Sequence, residues 1–193
     1  MRLRLAGAAL LSSVGAAGGL IGDAGHVQSG TTTYLKTGVP FIWESAIWFV
    51  LMVGVGTVAV AELRLRIAPA RGDGDVSVAV GAVAVVVGIY ALTALVLDEP
   101  LLPSTVVIWI LAAIAWHVSG DGWPAAACGA AAAVVGTTIE IVLAAAGVFM
   151  YDPAIDGLFG VPSWLPALYF AFGVVVSRLA EVCVVYGLAR DGR

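Results

Sequence analysis

The chain has 193 residues, of which 61% are hydrophobic and 11% are charged, and its formal net charge is −4. Because a soluble domain is nearer half apolar and a quarter charged, this composition excludes an ordinary soluble enzyme or binding domain and indicates an integral membrane protein. No basic run accompanies the acidic balance, so nothing in the chain indicates a nucleic-acid partner.

Six segments are long and apolar enough to cross a bilayer, which takes about 20 mostly apolar residues. They cover about 3–21, 41–65, 76–97, 101–118, 124–150 and 164–188. The sequence therefore predicts an all-α membrane protein, a single domain built as a compact bundle of six transmembrane helices. The first segment also has the features of a cleaved signal peptide. Gly18 and Gly22 favour instead a retained helix with a small-residue packing face.

The arginines predict the orientation of the bundle. If the N-terminus is cytoplasmic, seven of them lie inside: Arg2, Arg4, Arg64, Arg66, Arg71, Arg190 and Arg193. Lys36, the single lysine, then lies in an outer loop, in agreement with the positive-inside rule. The scarcity of lysine among many Arg, Ala and Gly residues is typical of a GC-rich prokaryotic genome. We therefore expect a prokaryotic plasma-membrane protein with both termini in the cytoplasm.

No motif in the chain indicates catalysis, a cofactor or a metal site. Residues 22–40 are predicted to be a polar loop, in which His26 is a solvated side chain on the opposite side of the membrane from His117. Cys128 and Cys183 lie inside apolar segments, without further ligands at metal-binding spacing. We expect both cysteines to be small buried hydrophobic residues.

Glu140 is the strongest candidate for a functional residue, because ionisable side chains inside a span are costly. A carboxyl group there must be protonated or hydrogen-bonded, for example by Thr137 or Thr138. It could anchor the head group of a ligand, carry protons in a small transporter, or make a structural bond between helices. Arg178 and Glu181, three residues apart in the sixth span, are predicted to form an ion pair. Arg178 could instead reach the interface or Glu62.

Uneven packing of the spans predicts an internal cavity. The fifth span carries a face of small residues that lets another helix approach closely: Gly129, Ala132, Ala133 and Gly136. Bulky aromatic residues elsewhere need space or partners: Tyr90, Trp109, Trp116, Phe149, Tyr169 and Phe170. Together with Glu140 they are the candidate lipid-binding residues, with Glu140 and Tyr169 at the polar end of the cavity. Alternatively, these aromatic residues fill the core or face lipid tails.

The segment between the fifth and sixth spans resembles the Insig family of sterol-sensing membrane proteins. It carries Gly-Val-aromatic-x-Tyr at 147–151, an Asp/Pro loop, and Ser-Trp-Leu-Pro-x-x-aromatic-Phe-Ala at 163–171. Weaker likenesses occur at 45–48, at 83–89 and at Trp116-His117, where Insig proteins carry paired tryptophans. An aspartate that Insig proteins use to bind their partner has Ser119 at the aligned position here, with Asp121 displaced by a gap.

The resemblance implies a six-helix lipid sensor that contacts partner membrane proteins. Its ligand would be a sterol-like lipid or another neutral lipid, such as a diacylglycerol, bound inside the bundle. Because the partner-binding aspartate is displaced, the resemblance does not settle whether a protein partner exists, and a homo-oligomer is also open. A proton-coupled transporter that uses Glu140 is the alternative function, and a membrane-embedded lipid enzyme is the third.

Overall fold

Six helices make up most of the computed structural model, which describes residues 1–35, 38–72, 74–119 and 122–190. They are α1 (Leu5–Ser29), α2 (Ile47–Ile67), α3 (Val76–Leu95), α4 (Leu101–Ser119), α5 (Gly122–Ala145) and α6 (Leu165–Val185). Each is long and apolar enough to span a membrane. The prediction of an all-α membrane protein with six transmembrane helices is confirmed. The predictions for Lys36, Asp121 and Arg193 lie outside the described residues.

Short paired strands mark the two ends of the bundle. They are β1 (Arg2–Leu3), β2 (Thr32–Tyr34), β3 (Phe41–Ile42), β4 (Ser45–Ala46), β5 (Phe149–Tyr151), β6 (Asp156–Leu158), β7 (Val161–Pro162) and β8 (Ala189–Arg190). Strands β1 and β8 pair antiparallel, so the two chain ends meet at one end of the bundle, here called the termini side. Strands β2 and β5 pair at the other end, which we call the loop side.

Helix α6 occupies the centre of the bundle. It packs against α2, α3, α4 and α5, while α1 packs mainly against α2 and α3. Its closest neighbour is α5, as the small-residue face of the fifth span predicts. A Cβ atom at Gly173 of α6 would lie 2.5 Å from the carbonyl oxygen of Cys128 in α5. Both cysteines are buried.

The first helix is longer than the sequence predicts. It continues to Ser29 and ends at Gly30, whose positive φ of 81° and backbone N–H bond to Val27 terminate it. Asp23 and His26 are therefore helical and buried, so the predicted solvated loop for His26 is wrong. The reason is that partners from other elements satisfy both polar side chains, which makes their burial tolerable.

Two other helix ends differ from the predicted spans. Residues 41–46 form the β3–β4 hairpin, so α2 begins at Ile47 rather than near Phe41. Helix α5 ends at Ala145, and the chain continues into β5 instead of remaining helical to residue 150. This change of structure brings Tyr151 back against the bundle, where it is buried.

A buried ion pair connects α2 and α6 on the termini side. Arg64 pairs with Glu181, and neither side chain is exposed. Glu181 also accepts the backbone N–H of Arg71 at 2.9 Å. The prediction that Arg178 is the partner of Glu181 is wrong. The guanidinium group that pairs with this carboxylate is that of Arg64, which α2 brings against α6. Near the surface, Arg66 pairs with Glu62 at 3.1 Å.

Candidate lipid-binding site

A cavity of about 310 Å³ lies among α1, α2, α3, α5 and α6. Among the described residues, its walls are apolar apart from four polar side chains at Thr57, Tyr90, Glu140 and Tyr169. Glycines help to form it, since a Cβ atom at Gly56 of α2 would meet nothing within 4 Å. A cavity of this size with few polar groups is typical of sites for small apolar ligands.

Glu140 of α5 is buried at one end of this cavity and held by two tyrosines. Tyr151 of β5 donates to Oε2 and Tyr169 of α6 donates to Oε1, each at 2.5 Å. These phenols replace the predicted donors Thr137 and Thr138. Among the described residues, the hydroxyl of Thr137 is buried without a hydrogen-bond partner. Burial raises the pKa of Tyr151 well above its ordinary value, and the nearby Glu140 charge raises it further, so Tyr151 remains a donor.

Asp23 of α1 forms a second buried carboxylate site beside the first. Its Oδ2 atom accepts from Tyr34 at 2.7 Å and from Ser45 at 2.5 Å. Burial raises the pKa of Tyr34, and the Asp23 charge raises it further, so the phenol stays protonated. Asp23 and Glu140 both face a small chamber of about 10 Å³, also lined by Thr32, Tyr34, Phe49, Tyr90, Phe149 and Tyr151. The sequence did not reveal Asp23 as a site residue, because the first span was ended before it.

His26 packs against Tyr90 of α3, which lines both the large cavity and the small chamber. Its Nε2 atom lies 2.8 Å from the hydroxyl of Thr93, which itself donates to the carbonyl of Tyr90. The His26 ring packs edge-on against Tyr90, with 4.7 Å between ring centroids, and against Trp164 at 5.7 Å. The imidazole therefore connects α1, α3 and the start of α6 next to the cavity.

The structure brings together four of the seven predicted lipid-binding residues. Tyr90, Glu140 and Tyr169 line the large cavity, and Phe149 lines the small chamber. The other three meet on a different face, where the Phe170 ring contacts Trp109 at 6.1 Å and Trp116 at 6.4 Å between centroids. Trp109 is 42% exposed and Trp116 39% exposed, and none of the three lines the cavity.

The side chains near the polar end of the cavity include two carboxyl groups and no basic group among the described residues. Glu140 is the one ionisable carboxyl group among the described lining residues, and the Asp23 carboxyl group lies within electrostatic range of it. No lysine or arginine is among the described residues of either wall. An anionic head group would therefore find no basic partner among these residues, whereas an uncharged head group needs none.

No family model matches the chain. Comparison with individual proteins does find a relative. An INSIG protein homolog of Mycolicibacterium vanbaalenii is 50% identical over 184 residues, which cover 95% of this chain and 90% of the relative. The chain belongs to the Insig family.

Solved structures agree with membership of the Insig family. The crystal structure of a mycobacterial Insig homolog from Mycobacterium vanbaalenii superposes with a TM-score of 0.93 at 49% sequence identity, and the match covers 96% of this chain and 97% of that one. A cross-linked trimer of a cysteine variant of that homolog gives the same values. The family that was predicted from the segment between the fifth and sixth spans is thus confirmed. The similarity extends over nearly the whole chain.

Proposed function

We propose that this Insig-family protein binds an uncharged lipid in the large cavity and acts as a lipid sensor or regulator. The observation that carries the proposal is the cavity itself, apolar over most of its wall and bounded at one end by Tyr90, Glu140 and Tyr169. A diacylglycerol or a sterol-like lipid has the matching division into a large apolar body and a small uncharged polar group. Acyl chains longer than the cavity would extend between helices into the bilayer.

The charge distribution supports this ligand class over phospholipids and fatty acids. A phosphate or carboxylate group would lie near Glu140 and Asp23 without a basic partner. Desolvating an unpaired charge costs far more than desolvating a hydroxyl or an ester. The cavity therefore favours lipids whose head groups carry hydrogen-bonding oxygens and no net charge.

Uncharged and anionic lipids should differ in their effect on unfolding in detergent. We expect a diacylglycerol or a sterol to raise the melting temperature and phosphatidic acid not to. At a free concentration a hundredfold above Kd, a bound lipid adds about 2.7 kcal/mol to the free energy of unfolding. A Gly56→Leu variant should lose the effect, because its side chain enters the cavity. Gly88→Leu is the matched control, since Gly88 also has open space around it but does not line the cavity. Equal stabilisation by phosphatidic acid, or none by any lipid, would refute the proposal.

We further propose that the protein regulates by association rather than by catalysis. In the described part of the cavity wall, Glu140 faces tyrosine hydroxyls and no nucleophile–base pair is present, which supports a binding role. The same two phenol bonds support an anchoring or structural role for Glu140 over proton-coupled transport. Since a relative has been cross-linked as a trimer, a homo-oligomer is the first partner to consider, and a second membrane protein is the other.

We also propose that the termini side faces the cytoplasm of a prokaryotic cell, on the basis of the arginine distribution. Asp156 on the loop side and Gly72 on the termini side are both exposed, and native Cys128 and Cys183 are buried. A membrane-impermeant thiol reagent applied to intact cells should therefore label a cysteine introduced at Asp156 and spare one introduced at Gly72. Lysed cells, in which both variants should react, are the control. Labelling at Gly72 in intact cells would reverse the proposed orientation.

A further inference from the structure

Two aromatic residues on the loop side hold a backbone conformation that is uncommon for large side chains. Among the described residues, Trp43 and Phe159 are the two non-glycine positions with a positive φ, 53° and 54°. Glycine adopts this region freely, whereas a Cβ atom crowds the backbone there. Trp43 lies at the tip of the β3–β4 hairpin, and Phe159 lies at the tip of the β6–β7 hairpin. Glycine would form either turn with less strain, so these positions are candidates for a function of the aromatic ring itself.

Both rings project from the surface of the protein. Trp43 is 71% exposed and Phe159 is 83% exposed. Other aromatic residues at this end of the bundle pack against one another, since the Tyr34 ring lies 5.3 Å from that of Phe41 and 6.2 Å from that of Trp48 between centroids. The protein thus covers neither hairpin tip, although removing such rings from water is favourable.

The two hairpins lie next to the ends of membrane-spanning helices. The backbone N–H of Ile47, the first residue of α2, donates to the carbonyl of Pro40 at 3.0 Å and closes the base of the β3–β4 hairpin. Strand β7 ends at Pro162, shortly before α6 begins at Leu165. Since a strand rises about 3.3 Å per residue, each tip lies roughly 7–10 Å from the start of its helix. The head-group layer is roughly 5–8 Å thick on each side of the hydrocarbon core, so both tips lie within its reach.

We propose that the rings of Trp43 and Phe159 insert into the head-group layer of the membrane and anchor the two hairpins there. Aromatic rings are enriched at this depth, where they leave water without entering the hydrocarbon core. The charged residues on the hairpins are acidic and exposed, Glu44 beside Trp43 and Asp156 in β6, which favours a zwitterionic lipid surface over an anionic one. The hairpins lead into α2 and α6, so this contact fixes where two helices of the bundle enter the bilayer. The contact does not depend on what the large cavity holds.

Depth-dependent fluorescence quenching tests the proposal on the full-length protein in phosphatidylcholine vesicles. The lipid carries bromine either near the carboxyl end or near the methyl end of its acyl chains, and iodide is the quencher in water. The difference in emission between wild type and Trp43→Phe reports residue 43, and the difference between Phe159→Trp and wild type reports residue 159. Both difference signals should lose most intensity with bromine near the carboxyl end and little with iodide.

Two native tryptophans calibrate the depth scale through the same substitution to phenylalanine. Trp109 lies midway along α4 and is partly exposed, so its signal should be quenched most by bromine near the methyl end. Trp164 is 1% exposed and should be quenched least by any of the three reagents. If Trp43→Phe does not fold, Phe159→Trp carries the test alone. Strong quenching of the tips by iodide without quenching by lipid would show hairpins in water and overturn the proposal. Protection from all three reagents would show that a protein partner or a second copy covers the tips, which also overturns it.

Discussion

Replacing Glu181 by leucine should lower the free energy of unfolding by about 3–5 kcal/mol, the usual cost of breaking a buried ion pair from one side. Neither Arg64 nor Glu181 is exposed, so the substitution removes a buried negative charge that lies against the Arg64 guanidinium group. It also removes the acceptor of the Arg71 backbone N–H. The bonds of Arg64 to the carbonyls of Ala68 and Pro69 satisfy hydrogen bonds but do not neutralise its charge. Equilibrium unfolding in mixed micelles measures the loss.

Two further variants separate the buried charge from a general loss of contacts. Arg66→Ala breaks the pair with Glu62, in which the arginine side chain is 60% exposed, and should cost less than about 1 kcal/mol. The double variant Arg64→Met with Glu181→Leu should recover much of the stability, because neither charge is then buried alone. A single Glu181→Leu variant as stable as Arg66→Ala would show that the pair contributes little.

Hydropathy was sufficient to predict the six helices, because each buries or exposes to lipid an apolar stretch of the required length. It failed at the end of α1, where Asp23 and His26 look like loop residues in a linear sequence. Their partners Tyr34, Ser45 and Thr93 come from β2, β4 and α3. The sequence of one segment does not show hydrogen-bond partners that come from other elements. The predicted cost of burying Asp23 and His26 was therefore too high.

The candidate site was predicted in part for the same reason. Glu140 and Tyr169 could be proposed because a carboxyl group inside a span must find a polar partner. Tyr151 could not be assigned as the second partner, since the fifth span was extended to residue 150 and the β2–β5 pairing is a tertiary feature. Trp109 and Trp116 were predicted to line the cavity and do not. Aromatic residues that need space can find it at the surface of a membrane protein as well as in a cavity.

Local spacing likewise selected the wrong ion pair. Arg178 lies three residues before Glu181 on one helix, which makes contact between them geometrically possible. Arg64 is 117 residues away in sequence, yet α2 brings it against the same carboxylate. Position within the fold, and not separation along the chain, decides which arginine neutralises a buried carboxylate.

Replacing Gly173 by alanine should destabilise the bundle by about 1–3 kcal/mol, the usual cost of overpacking a well-packed interface. The added Cβ atom would lie 2.5 Å from the carbonyl oxygen of Cys128 and 2.8 Å from the Cβ atom of Ala132. One of these neighbours is backbone, so the strain is relieved only if α5 and α6 move apart. That movement would also pull Tyr169 of α6 away from Glu140 of α5. Loss of thermal stability should therefore be accompanied by weaker lipid binding.

Gly88→Ala provides the matched control on a second transmembrane helix. A Cβ atom at Gly88 would meet nothing within 4 Å, so alanine adds no strain there. Because glycine in a helix interior is less favourable than alanine by roughly 0.5–1 kcal/mol, this variant should unfold at the same temperature as wild type or slightly higher. If alanine lowers the unfolding temperature at residue 173 and does not lower it at residue 88, the effect at Gly173 comes from the distance between α5 and α6. If Gly173→Ala instead matches Gly88→Ala in stability and lipid binding, the two helices can separate at little cost, and their close contact does not hold Glu140 in place.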